Sequence, residues 1–235
     1  MDKTQQQSNL SPCGLHGKNL EIYKQSLKLT DVQREVIIGT LLGDASMSLR
    51  KGKPCYSIKF EQGEDHVDYV NHLYELFEPF AGTTPTWRWI DKDKTRRALW
   101  FRTYRHDSLI FYWNLFYRSP GPQGLRPGGE EKRKIVSKTI GKLLTPRVLA
   151  YWFMDDGNQT SDNKTYYLNT QGFYKHESEM LCELFKEKFN IIASVHKDKE
   201  SWRIYVWCES SETFRTLVEP YVISCFDYRL KLKIV

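Results

Sequence analysis

One stretch of this chain occurs twice, and the repeat constrains the fold more than any other feature. Residues 37–45 read Ile-Ile-Gly-Thr-Leu-Leu-Gly-Asp-Ala, and residues 149–157 read Leu-Ala-Tyr-Trp-Phe-Met-Asp-Asp-Gly. Each is an apolar run of helical character that ends in a carboxylate. A carboxylate at the end of a buried helix costs free energy unless something binds it. Two of them, placed alike, point to a pair that shares a ligand. Both runs are opened by a Leu-Thr pair. Thr30 with Gln33 fits a capping box, and Thr145-Pro146 puts proline at a first helical position.

The repeat continues downstream. Tyr56, Ile58 and Phe60 alternate with Ser57, Lys59 and Glu61, as Tyr166, Leu168 and Thr170 alternate with Thr165, Tyr167 and Asn169. Both strands run into Gln-Gly (Gln62-Gly63, Gln171-Gly172). An amphipathic helix follows each, with stripes at Val70, Leu73 and Phe77 and at Leu181, Leu184 and Phe185. Aromatic-rich strands come next (87–89 and 99–102; 191–196 and 202–207), with Lys-Asp-Lys turns at 92–94 and 197–199, then closing helices at 107–117 and 211–221. So many matches in one order predict an α+β fold built as a pseudo-two-fold duplication. Each unit runs helix, two strands, helix, two strands, helix. The expected layout is a flexible tail over 1–19, a first half over 20–117, a Pro/Gly-rich linker over 118–133 and a second half over 134–235.

Gly39 and Gly43 fall on one helical face. They let two helix backbones approach closely, with Ala150 as the small residue on the corresponding side of the second helix. Packed so, the helices bring Asp44 and Asp156 out together at one end. Two adjacent carboxylates repel unless a proton or cation lies between them. Oxygen donors without His or Cys select a hard cation, Mg²⁺ first, with Mn²⁺ as a second. His66 and His72 are not one turn apart and read as ordinary surface or core residues.

The 235 residues carry a net charge of +6, which favours a polyanionic partner. Five cysteines with no Cys-x-x-Cys spacing argue against a disulfide framework and a structural zinc site. With no apolar run of membrane-spanning length and a polar stretch over 1–9, the expected setting is intracellular, not secreted and without a membrane partner. A hard cation beside a basic, aromatic-rich surface suits phosphodiester chemistry. A metal lowers the pKa of a bound water and stabilises the leaving oxygen, and nearby Lys or Arg offsets developing charge.

The two motifs and the duplicated plan resemble the LAGLIDADG homing endonucleases in their single-chain, two-motif, intron-encoded organellar form. The second motif keeps the Leu-Ala start and the Asp-Asp-Gly end. The resemblance spans the chain from about Leu20. It implies a monomer with two saddle-shaped antiparallel sheets and the two motif helices at their interface. It also implies cleavage of both strands of a long double-stranded DNA site across the minor groove, leaving short 3′ overhangs. In the family's pattern Asp44 and Asp156 bind metal, assisted by the backbone carbonyls of Gly43 and Asp155. Gln62 and Gln171 are polar residues of the site. A basic residue orders water in each half, within Lys132-Arg133-Lys134 in the first and at Arg229 or Lys231 in the second. An organelle, either mitochondrion or chloroplast, or a bacterial cytoplasm is the implied compartment.

Two departures from the pattern stand out. The first motif ends in Ala45 without the closing Gly, and Arg229 stands where Lys is usual. A guanidinium differs from an ammonium in shape and hydration, so unequal cleavage of the two strands is expected. A sheet on the major groove nominates Ser57, Lys59, Glu61, Asn169, Arg203 and Tyr205 as base or phosphate contacts. Trp87 and Trp89 read as core residues first and stacking residues second. Besides the nuclease, two readings stand: an RNA maturase that binds its host intron, and a non-catalytic DNA-binding protein.

Overall fold

The computed structural model describes residues 16–49, 56–117 and 133–231. The elements of the first half are α1 (Gly17–Ser26), α2 (Asp31–Leu42), β1 (Ser46–Leu49), β2 (Tyr56–Gly63), α3 (Val67–Phe77), β3 (Thr86–Trp89), β4 (Arg97–Arg102) and α4 (Ile110–Phe116). Those of the second are α5 (Ile140–Leu143), α6 (Pro146–Asp156), β5 (Gly157–Gln159), β6 (Tyr166–Asn169), α7 (Lys175–Phe189), β7 (Ala193–Asp198), β8 (Ser201–Val206) and α8 (Cys208–Val218). Helix α1 begins inside the segment read as a tail, whose first fifteen residues lie outside the described ones. The linker, apart from Arg133, also lies outside them, as does Lys132.

The fold is α+β and duplicated. The described strands form two antiparallel four-stranded sheets of one topology, β1-β2-β4-β3 and β5-β6-β8-β7. Register reinforces the symmetry. Ser46 pairs with Lys59 and Asn158 with Tyr167, while Lys59 pairs with Arg102 and Tyr167 with Tyr205. Positions 44, 59 and 61 therefore correspond to 156, 167 and 169. Both β3–β4 and β7–β8 turn through a lysine with positive φ, Lys94 at 55° and Lys199 at 54°.

Helix starts follow from local chemistry. Thr30 accepts from Gln33 N–H while the Gln33 side chain accepts from Thr30 N–H, a closed capping box. Thr145 accepts from Val148 N–H above Pro146. Such a cap stabilises a helix by about 1 kcal/mol. Gln33 also donates from Nε2 to Leu76 O, which fixes α3 beside α2.

Helices α2 and α6 form the centre and make the most extensive helix–helix contact among the described elements. Val36, Ile37 and Leu41 meet Val148, Leu149 and Trp152 in one continuous core. Gly39 permits the approach, because a Cβ there would stand 2.6 Å from Val148 O and 2.7 Å from Tyr151 Cβ. The small residue expected opposite is not Ala150. Motif alignment puts Tyr151 at the position of Gly39, and its hydroxyl lies 2.6 Å from His72 Nε2. One helix contributes glycine and the other contributes the bulk that fills the space.

The stripe Val70, Leu73 and Phe77 is buried as its spacing implies, and so are Leu181 and Phe185. Trp87 and Trp89 are not core residues. They are 41% and 49% exposed on edge strand β3, where the Arg97 guanidinium lies 4.3 Å over the Trp87 ring.

Candidate active site

Asp44 follows α2 by one turn residue and Asp156 closes α6, so parallel packing of these helices sets both acids at one end of the bundle. Asp44 is exposed and Asp156 is partly covered. Burial, and then the charge of Asp44, raises the Asp156 pKa to about 7, while Lys134 and Arg229 pull it the other way. A crowded carboxylate such as Asp156, beside a second carboxylate, is relieved by a bound cation.

Asp155 ties the helices together at the same end. Its Oδ2 accepts the Asp44 backbone N–H at 3.1 Å, and its Oδ1 accepts Gln62 Nε2 at 3.2 Å. It keeps a little exposed surface, yet protein crowds the carboxyl from all sides. Burial, followed by the charges of Asp44 and Asp156, holds its pKa well above the ordinary carboxylate value. The Tyr69 hydroxyl is buried beside it without a closed hydrogen bond, and burial raises that phenol's pKa too. Only a backbone role was expected of Asp155, and the sequence does hold the signal for more. Asp155 occupies the motif position of Gly43, and a Cβ on Gly43 would collide with the Asp155 side chain. One motif lacks a side chain where the other inserts one.

Gln62 bridges two acids, donating from Nε2 to Asp44 Oδ2 at 2.8 Å as well as to Asp155. It lies on the helix-side face of β2, in line with Phe60, just past the helix ends. Gln171 does not mirror it. The register equivalent of Gln62 is Thr170, which is turned into the core and donates to Trp202 O at 2.8 Å. Gln171 instead donates to Asp198 Oδ2 at 3.1 Å, away from the acids, and at 3.4 Å to Asn169 Oδ1. The second half reaches its motif through Asn169, whose Nδ2 donates to Asp156 O at 2.9 Å and to Asn158 Oδ1 at 3.1 Å. An offset of one residue in the Gln-Gly repeat separates these outcomes.

The basic positions resolve clearly. Lys134 donates from Nζ to Gly43 O and, at 3.0 Å, to Ala45 O. Burial lowers its pKa, and the three nearby aspartates oppose that. Arg229 donates from Nη1 to Met154 O and Gly157 O, both at 2.9 Å. Each cation therefore braces the carbonyl-rich end of one motif helix, Lys134 that of α2 and Arg229 that of α6, where a positive charge is favoured. Arg133 is directed elsewhere, with Nε donating to Gly172 O at 2.7 Å and the guanidinium 3.6 Å over Tyr174. Lys231 is exposed, and its backbone carbonyl accepts from Gln159.

The outer faces of the two sheets differ. On the first, Glu61 pairs with Lys59 and Arg88, and the cations of Lys59 and Arg102 lie 5.4 and 6.0 Å from the Trp100 ring centroid. A concavity of about 290 Å³ opens here next to Asp44, lined by Ser46, Lys59, Glu61, Gln62, Gly63, Ile90 and Ala98. On the second, Tyr205 stacks on His196 at 4.7 Å, and Arg203 lies 3.9 Å over Tyr167. Ser57 corrects the expectation of a solvent-facing contact. It is 1% exposed, and its Oγ lies 2.9 Å from Ser48 Oγ.

With this geometry in view, the comparisons are decisive. Residues 34–214 match the model of the LAGLIDADG DNA endonuclease family. The chain belongs to that family. It is 31% identical over 229 residues to "Probable intron-encoded endonuclease 1" of Wickerhamomyces canadensis, covering 92% of each chain. It is 29% identical over 203 residues to the cytochrome b mRNA maturase bI2 of Saccharomyces cerevisiae, covering 83% of this chain and 46% of that one. Among solved structures it resembles the homing endonuclease I-WcaI bound to its DNA recognition sequence, with a TM-score of 0.78 and 29% identity, covering 94% of this chain and 97% of that one. The LAGLIDADG helices are thus α2 and α6, and their terminal acids are Asp44 and Asp156. No helix of the described residues is long and apolar enough to cross a membrane.

The LAGLIDADG donor set fits a hard divalent cation through Asp44 and Asp156, whose repulsion a cation would relieve. The other donors are engaged, Gly43 O by Lys134 and the Asp155 carboxyl by Asp44 N–H and Gln62. Among the described residues no cluster of three or more His, Cys, Asp or Glu is arranged to hold a metal by itself.

Proposed function

We propose that this chain is a monomeric, site-specific endonuclease that hydrolyses one phosphodiester on each strand of a long double-stranded DNA site, leaving short 3′ overhangs. The observation that carries this reading is the convergence of Asp44 and Asp156 at one end of two packed helices, with Lys134 and Arg229 bracing that end. Asp44 and Asp156 would hold Mg²⁺, or Mn²⁺ in its place. A metal so held supplies a water of lowered pKa and offsets charge on the leaving oxygen. Gln62, donating to Asp44 and Asp155 together, fixes the Asp44 carboxylate for the cation it would hold. Lys134 and Arg229 hold the two helix ends and place positive charge beside each scissile phosphate. The outer faces, through Lys59, Glu61, Arg88, Asn169, Arg203 and Tyr205, meet the duplex, as the DNA complex of I-WcaI supports. The setting we propose is the compartment that carries the host intron.

The test uses the purified chain, Mg²⁺ and a duplex spanning the insertion site in the intron-free allele. Cutting of both strands at that site is expected. No cutting, with tight binding to the intron RNA, would replace this reading with the maturase, a reading that the yeast relative's name supports. Binding of the duplex without cutting would replace it with a non-catalytic DNA-binding protein.

A further inference from the structure

Arg229 is held from the other half of the molecule. Its guanidinium carbon lies 4.7 Å over the ring of Phe226, which is fully buried. Two further contacts of that ring come from the first half. His66, which immediately precedes α3, packs on it at 4.8 Å with the ring planes 32° apart. Tyr69 of α3 meets it edge-on at 5.2 Å and 87°. Aromatic pairing of this kind and a cation over a ring face are both attractive and directional. They set where Arg229 stands as it reaches Met154 O and Gly157 O.

The first half-site is also served across the boundary between halves, by other chemistry. Lys134 braces α2, and its segment is anchored on the second half. There Val136 N–H donates to Glu177 Oε1 at 2.9 Å, and Arg133 lies over Tyr174. Lys134 therefore reaches from a segment docked on its own second half to α2 of the first, whereas Arg229 serves α6 of its own half and its segment is docked on the first. For Lys134 the dock is a backbone hydrogen bond to a carboxylate. For Arg229 it is the side-chain stack of His66, Phe226 and guanidinium.

We propose that His66 is a positioning residue for the second half-site, acting through Phe226 to hold Arg229 in place. This rests on the nuclease reading above. It makes the rate at one strand depend on a residue of the opposite half, and it gives His66 a role that does not require contact with DNA.

The test follows nicking of each strand separately, on a duplex of the intron-free insertion site labelled at both 5′ ends. Arg229→Met first identifies the strand that depends on Arg229. His66→Ala is expected to slow that same strand by roughly ten- to a hundredfold, as small misplacements of catalytic groups do, and to leave the other strand near the wild-type rate. Nicked duplex then accumulates. His66→Phe keeps a ring on Phe226 and is expected to restore most of the lost rate. Equal slowing of both strands, no strand bias in Arg229→Met, or failure of His66→Phe to rescue would overturn the inference. A wild-type chain that binds the duplex and cuts neither strand would instead remove the nuclease reading beneath it.

Discussion

The two half-sites share a plan but are built from different parts. In the first, Asp44 is exposed, Gln62 bridges it to Asp155, and Lys134 braces the helix end. In the second, Asp156 is partly covered, Asn169 holds its backbone rather than its carboxylate, and Arg229 does the bracing. The sheets diverge as well, with an ion-paired surface around Glu61 on one and an aromatic stack around Tyr205 on the other. The lesson is that duplication preserves what packing demands, namely helix, register and turn. Polar side chains at the helix ends are under no such demand and have separated. A duplicated chain can thus meet a target whose two halves differ.

The largest way to sharpen this comparison is to remove one amide from each half. Gln62→Ala is expected to slow cleavage roughly ten- to a hundredfold, because it frees the Asp44 carboxylate from its bridge to Asp155. Gln171→Ala should leave the rate within about twofold, since its shorter hydrogen bond goes to Asp198 on the far strand and its contact with Asn169 is long, at 3.4 Å. Equal losses in the two variants, read from single-turnover rates, would show that the half-sites are more symmetric than their hydrogen bonds indicate.

A smaller effect separates the two acids by pH. With metal chelated, Asp155 and Asp156 both have folded pKa values above the ordinary 3.8, Asp156 at about 7. The folded chain then holds protons that the unfolded chain has released, so stability falls as pH rises from 3.8 to about 7. Thermal melts of chelated protein should show Tm declining across that window. Asp156→Asn should flatten the decline, and Asp44→Asn should move its upper end to lower pH by removing a repelling charge. A Tm that climbs steadily over the same range would contradict the crowding of carboxylates at the helix ends.

Much of the architecture was legible because repetition and periodicity report packing directly. The stripes of α3 and α7, the cap at Thr30 and the acids of both motifs all follow from local chemistry. What escaped are features set by one-residue offsets and by contacts distant in sequence. Gln171 looks equivalent to Gln62 in sequence, but β-sheet register puts Thr170 at that position, and each step along a strand reverses the face. Ser57 alternates like a surface residue, yet neighbouring β1 covers it. Trp87 and Trp89 carry apolar bulk but sit half-exposed on an edge strand, where Trp87 is covered by the Arg97 guanidinium rather than by core side chains. The stack of His66 on Phe226 joins residues from opposite halves, and no local pattern announces it. Arg229 could be narrowed only to a choice with Lys231 until the carbonyls of Met154 and Gly157 showed which one faces the motif.

The central claim is that Asp44 and Asp156, from two halves of one chain, form a single composite site in which both are needed to cut a duplex. Strand-resolved cleavage and binding by Asp44→Asn and Asp156→Asn, measured on the same labelled duplex, tests it most directly. Each variant is expected to lose double-strand cleavage by roughly three orders of magnitude while binding the duplex close to wild-type affinity. Full double-strand cleavage by either variant, or loss of binding in a chain that still folds, would contradict it.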